Sequence, residues 1–311
     1  MFLYSNTREN TIQSEVSCSG IGLHSGKIIH LRLLPAAEES GVVFIRRDLG
    51  GVRIPANHAH IISTILSTTI GVDGASVQTV EHLMAAISAM EIHNLVVELD
   101  GPEVPVMDGS SEPFVELLTK AGVESQNRQR SFMEILKPLT VSENGKQLTI
   151  HPGSSFEVEY KISYKHPAIS KQSYHYRHSA LAFKREIASA RTFGFLKDVQ
   201  SLQERGLARG GSLDNAVVIG DKGVLNEQGL RFSDEFVRHK ILDLIGDLSL
   251  IGLPILGRIE ATRSGHSLHA TLIEEILQNK EAWRTVTAPS PAPERAVYRS
   301  YQGASLSLPS I

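Results

Sequence analysis

The chain has 311 residues, with 31 Lys plus Arg against 34 Asp plus Glu, a formal net charge of −3 and 41% hydrophobic residues. These values exclude a disordered chain, which is poorer in apolar residues and lopsided in charge, and argue against a nucleic-acid binder, which carries a basic excess. One cysteine, Cys18, rules out an internal disulfide and a thiolate cluster, so any transition-metal site draws nitrogen and oxygen ligands from the acids and the 13 histidines.

The length predicts two domains at ~150 residues each. No apolar run reaches the ~18 residues of a membrane span, and the N-terminus lacks the basic region and apolar stretch of a secretory signal. The expectation is a soluble, cytoplasmic monomer without stable membrane insertion. In chain order, Ile28–Leu33 and Gly41–Ile45 read as short strands bounded by Gly, Pro and Ser. A helix is expected from Thr79 as N-cap, with Val80, Leu83, Met84 and Ile87 as its apolar stripe. Ile92–Leu99 returns to strand, and Glu112–Ala121 reads as a second helix. The polar stretch 122–130 is the expected linker. Beyond it the strand pattern restarts at Phe132–Leu136, Leu139–Val141, Leu148–Ile150 and Phe156–Tyr164, followed by helices over Ser233–Ile251 and His269–Trp283. Each half therefore reads as strands followed by helices, an α+β layering rather than a doubly wound sheet. From residue 287 the chain carries Pro289, Pro291 and Pro293 and reads as a flexible tail.

The segment Phe232–Gly252 is the most informative. Its helix places His239, Asp243 and Asp247 at i, i+4 and i+8, one above the other on a face distinct from the apolar stripe. An imidazole and a carboxylate one turn apart can hold one ion such as Zn2+, with Asp247 behind them. The plain alternative is a solvated His–Asp pair beside exposed Arg238 and Lys240. A second cluster, Glu81–His82, opens the helix after Thr79. His82 can complete a set of three ligands, and Glu81 can act as general base toward water. Its alternative is a Glu serving the helix N-terminus beside a solvent-facing His.

Five strings lie in colinear order from about residue 11 to about residue 283: SGIGLHSGK (19–27), TVEHLMAA (79–86), PVMDGSS (105–111), ARTFGF (190–195) and RFSDEFVRHKILDLIGDL (231–248). Together they resemble the UDP-3-O-acyl-N-acetylglucosamine deacetylases that act in the synthesis of lipid A, the anchor of the Gram-negative outer membrane. The resemblance implies two similar domains, each a mixed β-sheet layered with two main helices, with the active site between them. The domains would be 1–126 and 127–286, the second carrying an insert near 195–224 that forms a hydrophobic passage for the acyl chain. The implied reaction is zinc-dependent hydrolysis of the N-acetyl amide of a UDP-linked acylated amino sugar, releasing acetate and a free amine. Hydrolysis of another amide or ester by the same site is the alternative.

The resemblance also implies roles. One Zn2+ per chain is held by His82, His239 and Asp243, the residues that spacing nominates. Glu81 is the general base. His266 acts in protonated form on the oxyanion or the leaving amine, and Asp247 orients and charges it. The Thr192 hydroxyl donates to the oxyanion. Lys240 binds substrate, Phe193 lies beside the site, and Tyr164 matches an aromatic position that stacks on uracil. Taken alone, His266 reads as a loop histidine and Thr192 as a turn threonine.

Overall fold

The computed structural model describes residues 7–288. The first sheet has five strands in the spatial order Val16–Ile21, Ile28–Pro35, Leu95–Leu99, Val42–Arg46 and Val52–Pro55. Its central strand, Leu95–Leu99, runs antiparallel to Ile28–Pro35 and parallel to Val42–Arg46. Alternation sets the register. Leu31 and Leu33 are buried from one strand and Val97 and Leu99 from its neighbour, because residues two apart share a face.

The second, seven-stranded sheet contains the same arrangement: Leu139–Glu143, Lys146–Pro152, Ile255–Thr262, Phe156–Ser163 and Lys171–Arg177, side by side. Here too the central strand, Ile255–Thr262, is antiparallel to one neighbour and parallel to the other. Ser131–Ile135 and Trp283–Thr287 extend this sheet from the start of the central strand. Helices α1 (Glu81–Ala89) and α2 (Glu112–Ala121) belong to the first half. A short turn, α3 (Ala180–Ala182), and α4 (Leu196–Glu204) precede α5 (Glu235–Ser249) and α6 (His266–Gln278) in the second. In both halves one helix enters the central strand and one leaves it. The fold is α+β with two similar sheet-and-helix units, joined by one contiguous apolar core.

Several sequence expectations are corrected. The stretch read as a linker contains a strand, Val123–Gln129, paired antiparallel with Arg8–Ile12. Its side chains are mostly exposed, so backbone pairing and surface ion pairs such as Arg128–Glu9 hold it, and hydropathy carries no trace of it. Thr79 does not cap α1. Its backbone is left-handed, at φ 59°, and its hydroxyl donates to buried Glu103 at 2.9 Å. α5 is shorter than expected, Glu235–Ser249, and begins with no side-chain cap. The last helix lies earlier than expected, at His266–Gln278, because Gly265 breaks the preceding chain and Trp283 starts a strand. Thr287 closes that strand and Ala288 is buried; the rest of the expected tail, 289–311, lies outside the described residues.

Candidate active site

Twelve of the fifteen residues of α5 are buried, so its polar face must meet protein rather than water. It meets α1. At the crossing stands Gly246, where an added Cβ would lie 2.0 Å from the backbone oxygen of Glu81. Only a glycine permits backbones so close. This approach sets Glu81 and His82, at the start of α1, against His239, Asp243 and Asp247.

Asp243 Oδ1 lies 3.2 Å from His239 Nε2 and 3.7 Å from His82 Nε2. All three side chains are buried, and their ligand atoms lie within 4.8 Å of one another. Two ligands each about 2 Å from one tetrahedral ion stand about 3.3 Å apart, so this spacing suits a metal. Chemistry agrees with geometry. His239 donates Nδ1–H to the Ala190 carbonyl at 3.0 Å, which leaves the Nε2 lone pair facing a carboxylate oxygen. Two acceptors so placed repel unless a cation lies between them. Burial, helped by the neighbouring His239, pulls His82 down to about 3. It lowers His239 as well, so both imidazoles are in the neutral form that can bind a metal. Burial alone would raise Asp243, but the Lys240 ammonium beside it counters this and keeps the carboxylate ionised. Lys240 is no solvated bystander, as the plain alternative held: its Nζ lies 2.8 Å from Asp243 Oδ2.

Beside these three candidate ligands stand a carboxyl and an imidazole. Glu81 Oε1 is 4.0 Å from His266 Nε2, and Glu81 Oε2 accepts from the Thr68 N–H at 3.0 Å. Burial raises Glu81 to about 8; nearby Asp247 and Asp243 add to the rise and His266 opposes it. For His266, burial works downward, but the charge and hydrogen bond of Asp247, 2.7 Å from Nδ1, lift it to about 9. His266 is the first residue of α6, where a helix dipole disfavours positive charge. The carboxylate prevails over that as well. Asp247 itself lies below the usual carboxylate range: burial opposes ionisation, and His266 and His269 overcome it.

The remaining predicted residues line one side. Phe193 lies 6.3 Å, ring to ring, from His239 and 4.9 Å from Phe236, and Tyr164 lies 6.0 Å from Phe193. Lys240 Nζ lies 5.6 Å from the Phe193 ring centre. Thr192 is tied to this side through its backbone, its N–H on Gly109 at 2.8 Å and its carbonyl accepting from Val217 at 2.8 Å. The segment is pinned by Arg191, which is buried and pairs with Glu235 at 2.8 Å. Farther on, Phe193–Phe195, Val217–Gly220 and Gly223–Val224 form a small sheet next to α4. No residue of α4 is buried, and Leu196 and Leu213 are exposed. The apolar side chains of this insert therefore do not all serve the core.

Sequence reading missed several participants. Thr68, buried in the run STILSTT, donates its hydroxyl to Asp247 Oδ1 at 2.6 Å as well as its N–H to Glu81. Glu103 accepts from the backbone of His24 and Ser25 at 2.9 and 2.8 Å and from Thr79, anchoring the GLHSGK loop to the start of α1. Arg209 and Gly210 of the insert donate their N–H groups to His24 and Leu23 of that loop. The one signal for Glu103 was an acid inside an apolar, proline-bounded stretch, PEVPV.

Comparison with known proteins agrees over most of the chain. Residues 9–278 match the family described as UDP-3-O-acyl N-acetylglycosamine deacetylase. The chain is 45% identical over 280 residues to the UDP-3-O-acyl-N-acetylglucosamine deacetylase of Syntrophus aciditrophicus, covering 90% of this chain and 89% of that protein. It is 47% identical over 279 residues to the protein of the same name from Syntrophotalea carbinolica, covering 89% of this chain and 90% of the other. A third, from Oleidesulfovibrio alaskensis, is 48% identical over 276 residues, covering 88% and 90%.

Proposed function

Because this chain belongs to the UDP-3-O-acyl N-acetylglycosamine deacetylase family, we propose a mechanism built from its own residues for the reaction of that family. The chain is an enzyme that hydrolyses the N-acetyl amide of UDP-3-O-acyl-N-acetylglucosamine, in lipid A biosynthesis. His82, His239 and Asp243 hold one Zn2+ per chain. When bound there, the ion polarises the amide carbonyl and lowers the pKa of water.

Glu81 takes the proton of the attacking water as its oxygen bonds to the carbonyl carbon. Charge develops on the former carbonyl oxygen, where the Thr192 hydroxyl and cationic His266 stabilise it. His266 then hands its Nε2 proton to the amine as the C–N bond breaks, and acetate leaves. Asp247 keeps His266 charged and oriented until that transfer. Lys240 and Phe193 position the substrate, Tyr164 stacks on the uracil, and the insert near 195–224 takes the acyl chain. We assign the two sheet units to domains 1–126 and 127–286. The protein works as a cytoplasmic monomer; among the described residues no helix is long and apolar enough to cross a membrane.

The single observation that carries this reading is the α1–α5 crossing, which sets three neutral or anionic donors beside a carboxyl and an imidazole of shifted, complementary acidity. Its test is the metal content of the purified protein, with deacetylation of the UDP-sugar followed before and after chelation. Activity should vanish with the metal and return with added Zn2+. Full turnover by metal-free protein would overturn the assignment.

A pH dependence follows. Glu81 must be ionised, so the rate rises as pH passes its raised value near 8. His266 must be protonated, so the rate falls as pH passes about 9. A divalent cation beside both groups lowers both, which moves the optimum toward neutrality without changing its shape. A bell-shaped profile of kcat/KM is therefore expected between about pH 5 and pH 10, and His266→Gln should lose the basic limb. A flat wild-type profile would exclude the paired roles.

A further inference from the structure

Asp247 Oδ2 accepts two hydrogen bonds of equal length, 2.7 Å from His266 Nδ1 and 2.7 Å from His269 Nδ1. His269 is fully buried, one turn along α6, and the mechanism above gives it no task. Its other ring nitrogen, Nε2, lies 3.1 Å from Ser264 Oγ, which is 2.7 Å from the Tyr160 hydroxyl; Tyr160 also donates to the Ser264 carbonyl at 2.9 Å. Proton bookkeeping orders this chain. The Asp247 carboxylate is acceptor only, so His269 carries its proton on Nδ1, and burial keeps the ring neutral. Nε2 must then accept, so Ser264 donates to it, and the single Tyr160 hydroxyl proton is shared between Ser264 Oγ and the Ser264 carbonyl. Each partner is left one arrangement, and the chain ends on a backbone carbonyl.

We propose that His269 is a positioning residue for deacetylation: by donating to the oxygen that holds His266, it fixes the Asp247 carboxylate and limits its pull on the His266 proton. The physical reason is competition. A carboxylate oxygen bonded to one donor alone attracts that donor's proton more strongly than one whose charge is shared between two. Without His269, Asp247 holds the His266 proton too tightly, and the acid gives it up too slowly to the leaving amine. Thr68 steadies the other oxygen, Oδ1, but cannot share the charge on Oδ2.

The titratable groups facing these two histidines come from each element around them. Asp247 and Asp243 lie on α5, Glu81 on α1, Tyr160 on the strand Phe156–Ser163, and His24 on the loop before Ile28. The strands against α6 bring Glu143 and Lys146, both exposed. The turn His58–His60 also packs on α6, with His60 bonded to Asn57. None of these besides Asp247 bonds to His269 among the described residues.

The proposal rests on His266 as the acid, and the test separates the two. In the metal-loaded full-length enzyme, with UDP-3-O-acyl-N-acetylglucosamine as substrate, His269→Leu removes the donor. It should lower kcat about 10-fold or more, with KM and metal content unchanged, and should move the basic limb of the profile up by about half a pH unit. His269→Asn places a carboxamide N–H where Nδ1–H stood and should recover kcat to within about threefold of wild type, with the limb restored. His269→Gln reaches toward Ser264 instead and should not recover it, which keeps the test open should the leucine variant fail to fold. Equal losses in the asparagine and leucine or glutamine variants with an unmoved limb would reduce His269 to a space-filler and overturn the proposal. Wild-type turnover in His269→Leu beside an inactive His266→Gln would overturn this proposal alone. Wild-type turnover in His266→Gln would overturn the acid assignment and this proposal with it.

Discussion

Glu81→Gln is expected to lower kcat by about 10²- to 10⁴-fold, the usual worth of a general base, while bound metal and KM stay at wild-type values. Glutamine preserves the size of the side chain and an oxygen for the Thr68 N–H, which donates to Glu81 at 3.0 Å, so the segment carrying Thr68 stays in place. It cannot take a proton from water. It also removes the negative partner 4.0 Å from His266 Nε2. The acidic limb of the pH profile, set by the raised Glu81, should disappear, and His266 should titrate somewhat lower for want of that charge. Steady-state kinetics together with metal analysis check this result. Wild-type turnover in a metal-loaded Glu81→Gln enzyme would remove Glu81 from the chemistry. Lost metal would instead mean that the carboxylate is needed to build the site.

The second large effect lies away from the reacting groups. Gly246→Ala places a methyl carbon 2.0 Å from the Glu81 oxygen and 2.8 Å from its carbonyl carbon. Both are backbone atoms of a helix and cannot swing aside, so α1 and α5 must part. Overpacking of this kind costs typically about 1–3 kcal/mol. The larger consequence is for function, since the same displacement draws His82 away from His239 and Asp243. Metal affinity and turnover should fall together, by about 100-fold or more, because a misplacement of about 1 Å costs that much at a reacting centre. Thermal unfolding, metal titration and kcat on one preparation decide the matter. Full metal loading and wild-type rates in Gly246→Ala would mean that the helices tolerate separation and that the close crossing is not what assembles the ligands.

Much of the architecture could be read from residue pattern, for identifiable reasons. Strands such as Ile28–Pro35 alternate buried and open positions, and α2 carries its apolar face at helical spacing. The metal candidates on α5 were visible because one helical turn sets His239 over Asp243 whatever the rest of the fold does. What stayed hidden depends on partners far away in sequence. Thr68 acts through a backbone N–H and a hydroxyl that have no pattern of their own, and its partners Glu81 and Asp247 stand 13 and 179 positions along the chain. His269 reads as one more polar residue at i+3 from His266. The ribbon of Arg8–Ile12 with Val123–Gln129 is held by main-chain pairing between mostly exposed residues, which hydropathy cannot register. The matching strand order of the two sheets leaves no repeat in the residues, because register is kept by which positions are buried and not by which apolar side chain fills them.

That shared strand order has a further consequence. The two units are alike in plan but unequal in what they bring: the first supplies His82 and Glu81, the second His239, Asp243, Asp247 and His266. Neither unit alone holds all three of the proposed ligands His82, His239 and Asp243, so the proposed centre exists only as a joint product of their docking. Metal retention becomes a direct gauge of whether the two halves are correctly seated on each other.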